Sequence, residues 1–195
     1  MSDDSAVPVP AGTYAFRPSL LGAPYEFRLT ERGLDWNAGR QAGFIAWSDF
    51  ERVRMSFYSM QQHRYVTEIW GKGSPKLKLI SSSWKSGVLH ERLDKPYAAF
   101  VTEFHRRLAQ AQSRARFEQG TNPLRYWPGL ALFVVVSLAF AWMTAQALQG
   151  GMYGGALFIA AFLAVFLWRA GDYFRRNRPR LYRPDALPGE VMPRL

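Results

Sequence analysis

The sequence predicts an α+β domain followed by an α-helical hairpin that crosses a membrane, and three observations carry that prediction. Short alternating apolar and polar stretches run from about Thr13 to Trp84. An apolar stripe with helical spacing follows, and after it a run without Asp, Glu, Lys, Arg or His extends from Tyr126 to Trp168.

The strands come first. Tyr25-Glu-Phe-Arg-Leu-Thr alternates as a half-buried strand should, and Glu31-Arg-Gly33 turns it into Gly33-Leu-Asp-Trp. Phe44-Ile-Ala-Trp makes a short strand ending at Ser48-Asp49. Val53, Met55 and Phe57 share one face of the next, opposite Arg52, Arg54 and Ser56. Tyr65-Val-Thr-Glu-Ile-Trp closes at the turn Gly71-Lys-Gly-Ser-Pro75, and Lys76-Leu-Lys-Leu-Ile80 alternates again. This makes six or seven strands. The period then changes: Tyr97, Phe100, Val101, Phe104 and Leu108 predict a helix from Asp94-Lys-Pro96 to about Phe117. Strands capped by one helix describe a small, partly open antiparallel barrel or sandwich.

The hairpin follows from length and charge. A transmembrane helix needs about 20 apolar residues, and Pro128–Leu148 and Tyr153–Trp168 supply two spans around the break Gly150-Gly-Met-Tyr-Gly-Gly155. Arg106, Arg107, Arg114, Arg116 and Arg125 precede the first span, and Arg169, Arg175, Arg176, Arg178, Arg180 and Arg183 follow the start of the exit from the second. Basic residues beside spans stay in the cytoplasm, so both termini are expected there. Arg125, Tyr126, Trp127, Trp168, Arg169, Tyr173, Arg175 and Arg176 form the expected membrane-interface set, the rings suited to the headgroup layer and the arginines to an anionic leaflet. Ser137, Ala141 and Ala145 on one span, and Ala156, Ala160 and Ala164 on the other, fall four apart and predict close helix packing, within the hairpin or between copies.

The expected organisation is a flexible N-terminus over 1–12, a cytoplasmic domain over 13–118, a juxtamembrane linker over 119–127, the hairpin over 128–170 and a basic, proline-rich tail over 171–195. That tail is extended, because prolines so spaced forbid a helix; Leu181, Tyr182, Leu187, Val191 and Met192 could dock on the domain, or the tail could stay disordered.

Phe44-Ile-Ala-Trp-Ser-Asp-Phe-Glu-Arg-Val-Arg, the strands after it, Ser81-Ser-Ser and the helix Tyr97-Ala-Ala-Phe-Val-Thr-Glu-Phe together resemble the bacterial pleckstrin-homology-like domains, over roughly 13–117. The resemblance implies a PH-like barrel joined to membrane spans in a bacterial inner membrane. Phosphoinositide-binding members carry a spaced basic cluster on the first hairpin. Here Arg28 and Arg32 stand beside Glu26, Glu31 and Asp35, a departure from that pattern.

Charge and chemistry narrow the function. The net charge is +10, which in a membrane protein points to the anionic leaflet at about 1 kcal/mol per basic residue near the surface rather than to nucleic acid. Cysteine is absent, which removes disulfides and thiolate sites. His63, His90 and His105 do not show metal-ligand spacing, so no metal or cofactor is expected. Ser81–Ser83 lacks a nucleophile elbow and reads as a loop, so no catalytic residue is assigned. Gly71-Lys-Gly-Ser74 lacks P-loop spacing and reads as a hairpin turn. Arg52, Arg54, His63, Arg64, Lys72, Lys76 and Lys78 are either a solvated sheet face or a cationic patch for lipid phosphates or an acidic partner. The expectation is a non-catalytic scaffold or binding module, whose partners are membrane lipids together with another protein or a second copy; the alternative is an oligomeric transport or channel subunit.

Overall fold

The computed structural model describes residues 12–19, 22–58, 64–86 and 89–193. Apart from Gly12, the stretch expected to be flexible at the N-terminus lies outside them, as does His63.

β1 (Thr13–Phe16), β2 (Tyr25–Leu29), β3 (Gly33–Ala38) and β4 (Gln41–Ala46) form a four-stranded antiparallel meander. Its alternation is the one read from the sequence: Phe27, Leu29, Leu34 and Trp36 are buried, while Glu26, Arg28, Asp35 and Asn37 face out. β5 (Phe50–Tyr58), β6 (Arg64–Gly71) and β7 (Leu77–Ile80) make a second antiparallel meander. β8 (Ser82–Ser86) and β9 (Leu89–Arg92) pair as a separate hairpin before α1 (Asp94–Gln110). The two larger sheets and α1 bury one core, in which Phe27, Leu34 and Ile45 meet Val53, Ile69, Leu79, Val101 and Phe104.

Three expectations change here. The sheets share a core but do not close into a barrel: the 3-10 turn Trp47–Asp49 carries the chain out of the first sheet before β5 begins, and no ladder joins the two among the described residues. Ser82 and Ser83 are strand rather than loop. Ser81 is buried, and its hydroxyl accepts the Tyr65 N–H at 3.0 Å. The helix stops at Gln110 and not near Phe117, because its apolar stripe ends at Leu108. Gln112 takes a left-handed φ of 48°, and Ser113 N–H closes on Leu108 O at 3.0 Å, a usual way to end a helix.

Beyond that stop, Ala115, Phe117 and Gln119 are buried in alternation, and β10 (Arg116–Gln119) lies parallel to β5 on its free edge. Two long helices follow, α2 (Pro123–Gln149) and α3 (Tyr153–Arg176). Asn122 caps α2 by accepting the Leu124 N–H at 3.0 Å, and Pro123 suits the first helical position, so the helix starts before Pro128. Gly151, at φ 69°, turns the chain between the helices. Both helices are long and apolar enough to cross a membrane, and 6% of the most apolar stretch of each is buried, unlike a soluble core helix. The tail returns to the domain: β11 (Arg180–Leu181) pairs with β10, and Val191 is fully buried in the core.

Candidate functional site at the foot of the hairpin

Because Val53, Met55 and Phe57 point into the core, Arg52, Arg54 and Tyr58 occupy the outer face of β5. Register then decides what they meet. Arg52 lies opposite Trp70, Arg54 opposite Glu68 and Tyr58 opposite Arg64 on β6; Arg116 and Glu118 of β10 flank Arg52 and Arg54 on the other side. Trp70 is the centre of the face. The Arg52 guanidinium lies 4.0 Å from its ring centroid, Lys76 Nζ 5.0 Å and the Arg54 guanidinium 5.7 Å. Lys78 Nζ lies 5.9 Å from the Tyr58 ring. Each such contact is worth about 0.5–1 kcal/mol when exposed and more when desolvated.

Two carboxylates neutralise part of this charge. Glu118 takes Arg54 and, at 3.0 Å, Arg116; Glu68 takes Lys76 at 2.5 Å. Arg52 has no carboxylate partner among the described residues. The face ends in a cavity of about 300 Å³ between the sheet and the first turn of α2, walled by Arg52, Arg54, Tyr58, Trp70, Lys76 and Arg125. A second hollow of about 220 Å³ shares Arg54 and Thr121 with it and adds Arg116 and Arg180. Burial, and then the Glu68 charge, raise the Tyr58 phenol above its ordinary range, so it stays a neutral donor.

The structure brings Arg52, Arg54, Arg64, Lys76 and Lys78 of the expected basic set onto this one face. Lys72 sits exposed in the turn after β6 and does not line the cavity. Of the histidines, His105 is buried in the core, and the side chain of His90 is outside the described set.

The expected interface residues divide. Trp127 and Trp168 are exposed, with Arg169 5.6 Å from the Trp168 ring. Tyr126 is instead buried: its hydroxyl donates to Phe174 O at 3.2 Å. Tyr173 shares a 3.1 Å hydrogen bond with Thr121, and Arg175 and Arg176 both pair with Asp172. Arg176 also lies 4.6 Å from the Phe57 ring, so it helps fasten hairpin to sheet.

Between the helices, phenylalanines do most of the meeting: Phe133 with Phe166 and Phe174, and Phe140 with Phe162, all at 5.2 Å between centroids. Ala156 is buried and Ser137 and Ala160 are half-buried, while Ala141, Ala145 and Ala164 are exposed.

Sequence reasoning passed over Trp70, although the inward alternation of Tyr65, Thr67 and Ile69 puts it outward with Glu68. It also passed over Asn177, whose role depends on a long-range contact and has no local signal.

No family model, curated protein or solved structure matches this chain. What the structure shows is a mixed α/β domain of several sheets followed by two long apolar helices, without a match that supports the pleckstrin-homology-like resemblance.

Proposed function

We propose that the chain is a non-catalytic, membrane-anchored binding module. In this reading α2 and α3 cross a bacterial inner membrane with both termini in the cytoplasm, and the outer face of the second sheet is offered to an acidic partner protein at the bilayer surface. The observation that carries it is the fastening of hairpin to sheet. Thr121 N–H donates to Asn177 O at 3.0 Å, Gly120 N–H donates to Met55 O at 2.7 Å, and the tail adds a strand to the same sheet. A face so held has a fixed attitude to the membrane, and a partner restricted to that plane meets it at raised effective concentration.

In-cell crosslinking, purification in mild detergent and mass spectrometry test this. The expected result is one dominant crosslinked protein that disappears when Arg52, Arg54, Lys76 and Lys78 are reversed in charge. A partner that survives the reversal would refute the assigned face.

A second reading, an oligomeric membrane subunit, draws support from the exposure of Ala141, Ala145 and Ala164, small residues that would let a second copy approach closely. A monomeric mass in detergent would speak against it.

A further inference from the structure

The cavity bounded by β5, β6 and the first turn of α2 holds more positive charge than its walls neutralise. Lys76 is paired with Glu68 and Arg54 with Glu118, whereas Arg52 and Arg125 pair with no carboxylate among the described residues. Arg52 is held over the Trp70 ring, which restricts a long side chain and leaves its fork of donors free to bind. Ser56, 3% exposed, sits in the wall; its hydroxyl makes no well-aligned hydrogen bond, though Tyr58 is a near neighbour. The start of α2 supplies the positive end of a long helix, but Asn122 already takes the N–H groups of Leu124, Arg125 and Tyr126. The ligating groups are therefore side chains.

A ligand suited to these walls carries negative charge and accepts several hydrogen bonds at once, from guanidinium forks and from hydroxyls. A phosphate group does both. Its position is equally specific. Arg125 is the last charged residue before the charge-free run, so the cavity stands where lipid phosphates border the hydrocarbon. Leu124 and Trp127, 85% and 56% exposed, put apolar surface for acyl chains at the same end of α2.

We propose that this cavity binds the phosphate of an anionic phospholipid headgroup, with Arg52 and Arg125 as charge partners and Ser56 and Tyr58 as hydroxyl donors. The same chemistry would accept a soluble phosphate ester. The proposal rests on the membrane-anchor reading, and alkaline extraction of membranes tests that reading separately. Loss of the chain from the membrane fraction would remove the anchor and the lipid source together.

The full chain in non-ionic detergent is then examined by native mass spectrometry with phosphatidylglycerol, phosphatidylcholine or glycerol 3-phosphate. One phosphatidylglycerol retained per chain in preference to phosphatidylcholine is the expected result. Retention should fall about tenfold or more in R52Q/R125Q, since a charge-assisted hydrogen bond contributes about 1.5–3 kcal/mol and 1.4 kcal/mol is tenfold. R40Q, in the exposed turn between β3 and β4, should retain lipid like the parent, and R52K/R125K should fall between, which separates lost ligation from lost fold. Displacement of the lipid by glycerol 3-phosphate at equal concentration would keep the phosphate site and assign it to soluble esters. Equal retention of the two lipids, or unchanged retention in R52Q/R125Q, would overturn the proposal.

Discussion

Asn177, which ends the second apolar helix, hydrogen-bonds both backbone groups of Phe57 in the second sheet: Phe57 N–H donates to Asn177 Oδ1 at 2.9 Å, and Asn177 Nδ2 donates to Phe57 O at 2.6 Å. The side-chain amide stands where the next residue of β10 would have continued the ladder, one step past Gly120 on Met55. Asn177 is fully buried, so water cannot replace it. Asn177→Leu is expected to remove both of these buried hydrogen bonds, at about 0.5–1.5 kcal/mol for each. Hydrogen exchange should quicken over 53–58 in the variant; unchanged exchange would show that the seam does not depend on this amide.

Gly120 is the second requirement of that seam. Its φ is 84°, and a Cβ there would lie 2.3 Å from Asn177 O and 2.6 Å from Asn177 C. Gly73 shares the backbone conformation, at φ 68°, but a Cβ there would meet no atom within 4 Å. Gly73→Ala therefore measures backbone strain alone, about 1–2 kcal/mol. Gly120→Ala adds displacement of the hairpin's end and should lower the melting temperature by clearly more. Equal shifts for the two would mean that the close approach costs nothing.

How much of this was legible depends on whether a signal was local. Alternation placed Val53, Met55 and Phe57 inside and Arg52 and Arg54 outside, and the absence of charge from Tyr126 to Trp168 marked the two apolar helices. β10 is not legible because Ala115, Phe117 and Gln119 follow a helix directly, and Arg114 and Arg116 suit a helical C-terminus as well as an edge strand. The docking of Tyr182 and Val191 was left open because it depends on a core surface assembled from distant elements. The cavity needed both kinds of information: the cations could be read from the strands, but the wall from Asn122 and Arg125 appears only once β10 aligns with β5.

His105 ties α1 to the tail, and it should make that contact sensitive to acid. Its Nδ1 lies 2.7 Å from Val101 O, which can only accept, so Nδ1 carries the proton; Nε2 then accepts from the Tyr182 hydroxyl at 2.8 Å. Burial lowers the His105 pKa from 6.5 to about 4, against the opposing bond to Val101. The unfolded chain therefore takes up a proton before the folded one as pH falls. Stability is intact above about 6.5 and declines toward 4, by on the order of 3 kcal/mol over the window. Glu103, held down to about 2 chiefly by its hydrogen bond to Arg106, loses its contribution at lower pH, between 4.5 and 2. Urea midpoints measured from pH 7 to 4 should fall in the parent and stay flatter in His105→Leu. A parallel decline in both would assign the acid sensitivity elsewhere.

The arrangement of the hairpin can be tested directly because the chain has no cysteine to remove. Met152, 62% exposed, stands at the turn between α2 and α3, and Asp185 is exposed in the docked tail. Excess arginine on both flanks and none in the turn predicts that Met152 faces away from the cytoplasm and Asp185 toward it. In intact cells, Met152→Cys should react with a membrane-impermeant maleimide, and Asp185→Cys should react only after the membrane is opened. Labelling of both before opening would mean that the tail, and with it the cationic face, lies outside the cytoplasm. Protection of both would mean that the turn does not emerge, and the apolar helices would then lie within one leaflet or against a partner instead of crossing.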